Sequence, residues 1–185
     1  MALRSTVYRA ELTVSDLDRG VYGQHALTLA RHPSETEERM MVRLLAFALH
    51  ADESLVFGRG LSTEDEADLW QRDPTGAIVR WIDVGLPDER AIRKACGRAR
   101  EVVVLAYGAR RVDLWWEDNG QALGRLANLW VYTLVPAETE ALQSLVARSM
   151  ALTCTVQDGH VWLASEGSTV ELRPALRCGA PDRRH

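Results

Sequence analysis

At 185 residues the chain has the length of one domain, and a composition 46% hydrophobic and 26% charged excludes disordered and fibrous classes. A net charge of −4 argues against strong nonspecific affinity for nucleic acid, although a local basic stripe stays compatible with it. No apolar run approaches the ~20 residues that cross a bilayer, and no signal-peptide stretch opens the chain. Cys96, Cys154 and Cys178 are too scattered for a disulfide framework or a zinc knuckle. A cytoplasmic protein with no membrane and no disulfide-linked partner is expected.

In chain order, Thr6, Tyr8, Ala10, Leu12 and Val14 alternate with polar residues, which is the period of a strand. Ser15 to Gly20 reads as a turn and Gln24 to Ala30 as the returning strand of a hairpin. Pro33 to Ala51 reads as a helix with Ser34 and Glu37 as a capping box and Met41, Leu44, Leu45 and Ala48 as its apolar stripe. His50 falls in its last turn, where the helix dipole favours partial positive charge. A strand from Leu55 to about Arg59 precedes an acidic loop from Ser62 to Asp68. Leu69 to Gln71 and Ala77 to Val84 form a second hairpin about Asp73 to Gly76.

Pro87 then introduces a helix from Asp88 to Arg100, acidic at its start and basic at its end. Val102 to Tyr107 is expected as a buried strand, Val112 to Trp116 as another, and Gln121 to Leu126 as a short helix. A strand at Leu129 to Leu134 and a helix near Ala137 to Arg148 follow. A last hairpin pairs Ala151 to Val156 with Val161 to Ala164 across Asp158 and Gly159. The expected class is α/β (α+β): a mixed sheet flanked by helices, with additional hairpins at both ends. Residues 1–173 form a single domain and 174–185 a loose tail.

Acidic residues stand where apolar ones are expected. Glu38 precedes Met41 and Leu45 by one and two turns, so it either extends the buried stripe and needs a cation or metal, or is a first-turn acid favoured by the dipole. Asp83 ends a strand on the face of Val79 and Trp81; it is either a site residue at a strand's C-terminal edge or the start of a turn. If Asp73 to Gly76 closes the hairpin with Arg72 opposite Ala77, Asp68 faces Trp81 and Glu66 faces Asp83. Asp68, Glu66 and Asp83 then lie close enough to share one divalent ion, and oxygen ligands alone favour Mg²⁺ or Mn²⁺. The other reading is a solvated acidic loop. Of 22 basic residues only Lys94 is lysine, through chance or because a compact ammonium is needed there.

Several blocks resemble the YaeQ family of bacterial proteins: Leu27 to Ala46, Phe57 to Ser62, Glu66 to Trp70, Trp81 to Arg90, Arg93 to Cys96, Trp115–Trp116 and Val156 to Gly159. The resemblance covers the chain to about residue 165. It implies a restriction-endonuclease-like core of the PD-(D/E)XK type, a mixed four-stranded sheet flanked by helices. In that superfamily a helix supplies a glutamate, matched here by Glu38, and two strands supply acids matched by Asp68 and Asp83. Ala67 stands where the motif has proline, and Gly85 where it has lysine. Lys94, on the next helix, is the candidate for a migrated lysine, although it also fits an ordinary solvent-facing position.

Two functions are expected. One is metal-dependent phosphodiester hydrolysis, with Asp68, Asp83, Glu38 and Glu66 as ligands of Mg²⁺ or Mn²⁺, Lys94 as the electrostatic catalyst, and Arg90, Arg93 and Arg98 on nucleic-acid phosphates. The other is a nuclease-like fold that has kept binding and lost catalysis, favoured by the absent motif lysine and the net acidity. A small-molecule enzyme is a third class for which no substrate is specified. Cys96 is expected to be buried and inert.

Overall fold

A computed structural model describes residues 4–59 and 65–179; Ser62 to Glu64 of the acidic loop and the end of the tail lie outside the described residues. In chain order the elements are β1 (Thr6–Asp16), β2 (Val21–Arg31), α1 (Glu37–Leu49), β3 (Leu55–Phe57), β4 (Leu69–Arg72), β5 (Ile78–Val84), α2 (Glu89–Cys96) and β6 (Ala99–Ala106). There follow α3 (Arg110–Leu123), β7 (Leu129–Thr133), α4 (Pro136–Ala141) with a 3-10 turn at Leu142–Leu145, β8 (Ser149–Gln157), β9 (His160–Ser165), β10 (Ser168–Leu172) and β11 (Ala175–Cys178).

The chain is a mixed α+β fold with two mixed sheets, not one sheet with appended hairpins. Parallel pairing of β1 with β8 joins the N- and C-terminal hairpins into one sheet, ordered β10-β9-β8-β1-β2. The other sheet runs β11-β7-β6-β5-β4-β3. Alternation in β1 sends Tyr8, Ala10, Leu12 and Val14 inward and leaves Arg9 and Glu11 exposed, as the sequence pattern requires.

Between the sheets lies α1. Every residue from Met40 to Ala48 is buried, including Arg43, so the helix is covered all round and not along one stripe. One core joins α1 to the inner faces of both sheets, through Leu12 and Leu152 on one side and Ile82, Val103 and Leu105 on the other. A second core lies behind β5–β7, where Trp81, Val102, Val104 and Val131 meet Ile92 and Ala95 of α2 and Val112 and Trp115 of α3. β6 is therefore buried on both faces, which explains its continuous run Val102-Val103-Val104-Leu105-Ala106.

Several boundaries differ from expectation for local reasons. Thr36, not Ser34, caps α1 by accepting from Arg39 N at 3.1 Å; Ser34 instead bonds the His32 ring at 2.6 Å. The expected strand Val112–Trp116 and the short helix after it are parts of α3, whose N-cap Ala109 makes no side-chain capping bond. The apolar Val-x-Leu-Trp-Trp run without a start signal reads as a strand; in the fold it buries Trp115, whose indole donates to Pro87 O at 2.8 Å. α2 ends at Cys96, and Ala99–Arg100 already belongs to β6. The helix expected to reach Arg148 stops at Ala141 and continues only as the 3-10 turn. Instead of a tail that is loose from residue 174, Ala175–Cys178 pairs with β7. His50 carries no partial positive charge, since burial, then Arg80 and Arg19, hold its ring well below the ordinary histidine range.

Candidate functional site

β5, β6 and β7 run parallel, so their C-terminal ends share one edge of the sheet, and the start of antiparallel β4 joins them there. Sequence reasoning put β4 and β5 two residues out of register. Leu69 faces Ile82 and Gln71 faces Arg80, and the pairing shifts before Arg72 meets Ile78. The turn closes through Asp73 N to Ala77 O at 2.9 Å and Gly76 N to Asp73 O at 2.8 Å, and one residue of β5 is extruded next to it. Together these bring Asp68, and not Glu66, beside Asp83.

The two carboxylates interlock through the backbone. Asp68 N donates to Asp83 Oδ1 at 3.3 Å, and Val84 N donates to Asp68 Oδ2 at 2.8 Å. Trp81 Nε1 occupies Asp83 Oδ2 at 2.9 Å, and Arg39 Nη2 occupies Asp68 Oδ1 at 2.6 Å. All four oxygens thus accept a protein donor. Burial, then the Asp68 charge, pushes Asp83 up to about 6 against the opposing effects of Trp81, the Asp68 amide and Arg39. The nearby Tyr107 hydroxyl is pushed up to about 12, first by burial.

Arg39 leads to a second layer that the sequence reading missed. Its Nη1 donates to Glu35 Oε1 at 2.9 Å, and Asp68 with Glu35 outweighs burial to raise the guanidinium above its ordinary value. Glu35 in turn takes Arg43 in a two-pronged contact, Nε to Oε1 and Nη2 to Oε2, each at 2.8 Å. Glu35 is 3% exposed and Arg43 1%. The four-residue spacing of Glu35, Arg39 and Arg43 was the available signal, although in the fold Glu35 lies before the Thr36 cap and not on α1 itself.

The remaining sequence candidates lie elsewhere. Glu38 turns to α4, accepting from Thr139 Oγ1 at 2.7 Å. Glu66 accepts from Arg59 N at 3.3 Å. Lys94 pairs with Asp65 at the exposed surface. Arg93 is held by Glu89 at 2.6 Å, and Arg98 lies over the Trp81 ring and donates to Asp65 O at 3.1 Å, while Arg90 is exposed. Gly85 has φ of 99°, a left-handed backbone that a lysine would strain, so the motif lysine's absence has a conformational reason. Among the described residues no three His, Cys, Asp or Glu side chains converge as a metal site would need. The set expected to hold Mg²⁺ or Mn²⁺ does not fit such an ion. Cys96 is half-buried, and burial pushes its thiol up to about 11, too high for a reactive thiolate.

Asp68 is positioned by a close backbone crossing. Gly58 N donates to Asp68 O at 2.8 Å, and a Cβ on Gly58 would overlap the carbonyl oxygen of Ala67. Gly58→Ala is therefore expected to lower stability by about 1–3 kcal/mol by pushing the start of β4 away. Urea unfolding checks this, and an unchanged midpoint would show that the crossing is not needed.

A family model described as YaeQ protein matches residues 1–174. Among curated bacterial relatives, the uncharacterized protein YaeQ of Salmonella typhi is 46% identical over 173 residues, covering 94% of this chain and 96% of the relative. That of Escherichia coli (strain K12) is 45% identical over 172 residues, covering 93% and 95%. The crystal structure of YaeQ protein from Xanthomonas axonopodis pv. citri superposes with a TM-score of 0.93 at 53% identity, covering 95% of this chain and 99% of that one. The Pseudomonas syringae YaeQ structure gives 0.88 at 37% identity, covering 95% and 97%.

Proposed function

The chain belongs to the YaeQ family, and we propose that its nuclease-like core works as a binding or regulatory scaffold that does not hydrolyse phosphodiesters. Support for the nuclease-like part comes from the run α1–β3–β4–β5–α2–β6: a helix, a three-strand meander, a helix and a parallel fourth strand. Four strands of the six-stranded sheet in this order are consistent with the helix-flanked, four-stranded mixed sheet that the family resemblance implies. Asp68 and Asp83 at its edge support the same reading.

One observation carries the non-hydrolytic part. The guanidinium of Arg39 bridges Asp68 and Glu35, supplying at that edge the positive charge a divalent cation would otherwise bring. Glu38 turns to Thr139 and Lys94 stands at the exposed surface beside Asp65, which favours a reading without a third ligand or a cationic catalyst at the acids. Arg93 and Lys94 pair with Glu89 and Asp65, and Arg98 donates to the Asp65 carbonyl, so of the expected basic residues only Arg90 makes no such contact among the described residues.

The purified protein is expected to leave supercoiled DNA and single-stranded RNA intact with Mg²⁺ or Mn²⁺, and to give no calorimetric heat with either ion. Arg39→Ala is expected to lose about 2–3 kcal/mol of stability, because buried carboxylates lose their cation, and to regain part of it in millimolar Mn²⁺. A second reading, hydrolysis after Arg39 swings aside, draws on the Asp83 carboxyl, which burial and the Asp68 charge raise despite Arg39. Metal-dependent cleavage by the parent protein that Asp83→Asn abolishes would establish it and end the first.

A further inference from the structure

Far from the acid pair, at the other end of α1, the space between the sheets is incompletely filled. α1 ends at Leu49 and is capped by His50, and beyond it lies a cavity of about 220 Å³ reached by both sheets. Its volume exceeds the ~150 Å³ of an apolar cavity that holds one benzene ring. Its lining combines an apolar wall that includes Leu105, Val161 and Pro174 with Arg19, His50, Tyr132 and the acids Asp16 and Asp18. The side chain of Arg19 is 32% exposed, so the cavity communicates with solvent there.

We propose that this cavity binds a small organic monocarboxylate with a body about one ring in size. The inventory of donors and acceptors selects that chemistry. Both acids at the cavity are already satisfied: Asp16 Oδ1 and Oδ2 accept from Arg19 N at 2.9 Å and Arg19 Nε at 2.6 Å. Asp18 accepts from Asp158 N at 2.7 Å and Gly159 N at 2.8 Å, bracing the β8–β9 turn. An amine would have to share oxygens that each already accept one donor. Donors, by contrast, are in surplus. Arg19 uses its Nε on Asp16, while its terminal nitrogens and the Tyr132 hydroxyl carry no protein hydrogen bond among the described residues. Arg80 and Arg19 act on the His50 ring as positive charges, while Glu101 acts on the Tyr132 hydroxyl, so the anion would sit on the Arg19 side. A carboxylate accepts two parallel bonds from a guanidinium edge, and the apolar wall takes the body.

Solution NMR on the labelled full chain tests this with benzoate, benzyl alcohol and benzylamine, which share a ring and differ in the head group. Benzoate is expected to shift amides of His50, Tyr132 and Val161, to bind roughly tenfold tighter than the alcohol, and to outbind the amine further. Arg19→Gln is expected to weaken benzoate by roughly tenfold and to leave the alcohol unchanged. Val161→Phe fills the cavity and is expected to abolish both while the spectrum stays dispersed. If Arg19→Gln unfolds because Asp16 loses its partner, the head-group series and Val161→Phe decide. Absence of benzoate shifts at the cavity up to about 20 mM, or equal binding of all three ligands, overturns the proposal.

Discussion

Glu35→Ala is expected to destabilise the protein by about 3–5 kcal/mol, the largest effect of any single substitution at this site. The carboxylate is 3% exposed and accepts from two guanidiniums, so its removal leaves Arg43 charged in the core and Arg39 with only Asp68. Arg43→Met is expected to cost less, since Glu35 keeps Arg39 and the methionine fills the apolar part of the volume. The double variant Glu35→Leu with Arg43→Met is expected to be more stable than Glu35→Ala alone. A buried pair is expensive to break in half and much less so to replace whole, because each charge is desolvated whether or not its partner remains. Urea titrations of the three variants check the order. A Glu35→Ala protein within about 1 kcal/mol of the parent would mean that Arg43 reaches solvent or another acceptor.

Asp83→Asn is expected to change stability in a pH-dependent way. The carboxyl of Asp83 is about 6 in the folded chain against an ordinary 3.8, so the folded state holds its proton more tightly than the unfolded state. That contribution is complete below the unfolded value and is lost as the pH rises through 6, leaving the parent penalised at pH 8. Asparagine cannot ionise and escapes the penalty. The stability of Asp83→Asn relative to the parent should therefore rise by about 2–3 kcal/mol between pH 4 and pH 8. The asparagine NH₂ facing the Trp81 Nε1 donor costs about 1 kcal/mol at every pH and cancels from the difference. Parallel stability–pH curves for the two proteins would show that Asp83 titrates normally.

Much of the architecture is written in short-range patterns. Alternation in Thr6 to Val14, the Asp73 to Gly76 turn signal and Asp158–Gly159 each specify a hairpin from a few neighbouring residues, and all three form. α3 was not legible because Ala109 caps it without a side-chain bond, so its Trp115–Trp116 pair carried no helix start signal. Union of the terminal hairpins into one sheet was not legible either, since β1 and β8 stand more than a hundred residues apart in the chain and no local signal encodes parallel pairing.

The acids of the site divide in the same way. That Asp68 and Asp83 stand at neighbouring strand ends followed from the β4–β5 hairpin alone, and a register wrong by two preserved the result because side chains repeat every second residue. Which residue of α1 meets them was a different matter. Glu38 and Arg39 are adjacent in sequence and point roughly 100° apart around the helix, so a small rotation exchanges carboxylate for guanidinium. The stripe Met41, Leu44, Leu45 and Ala48 suggests a rotation that puts Glu38 inward, but α1 is buried all round from Met40 to Ala48, so that stripe does not fix which side meets the acids. Only the packing of both sheets against it set that angle. It turned Arg39 to Asp68 and Glu38 to Thr139, and with them the electrostatic character of the site.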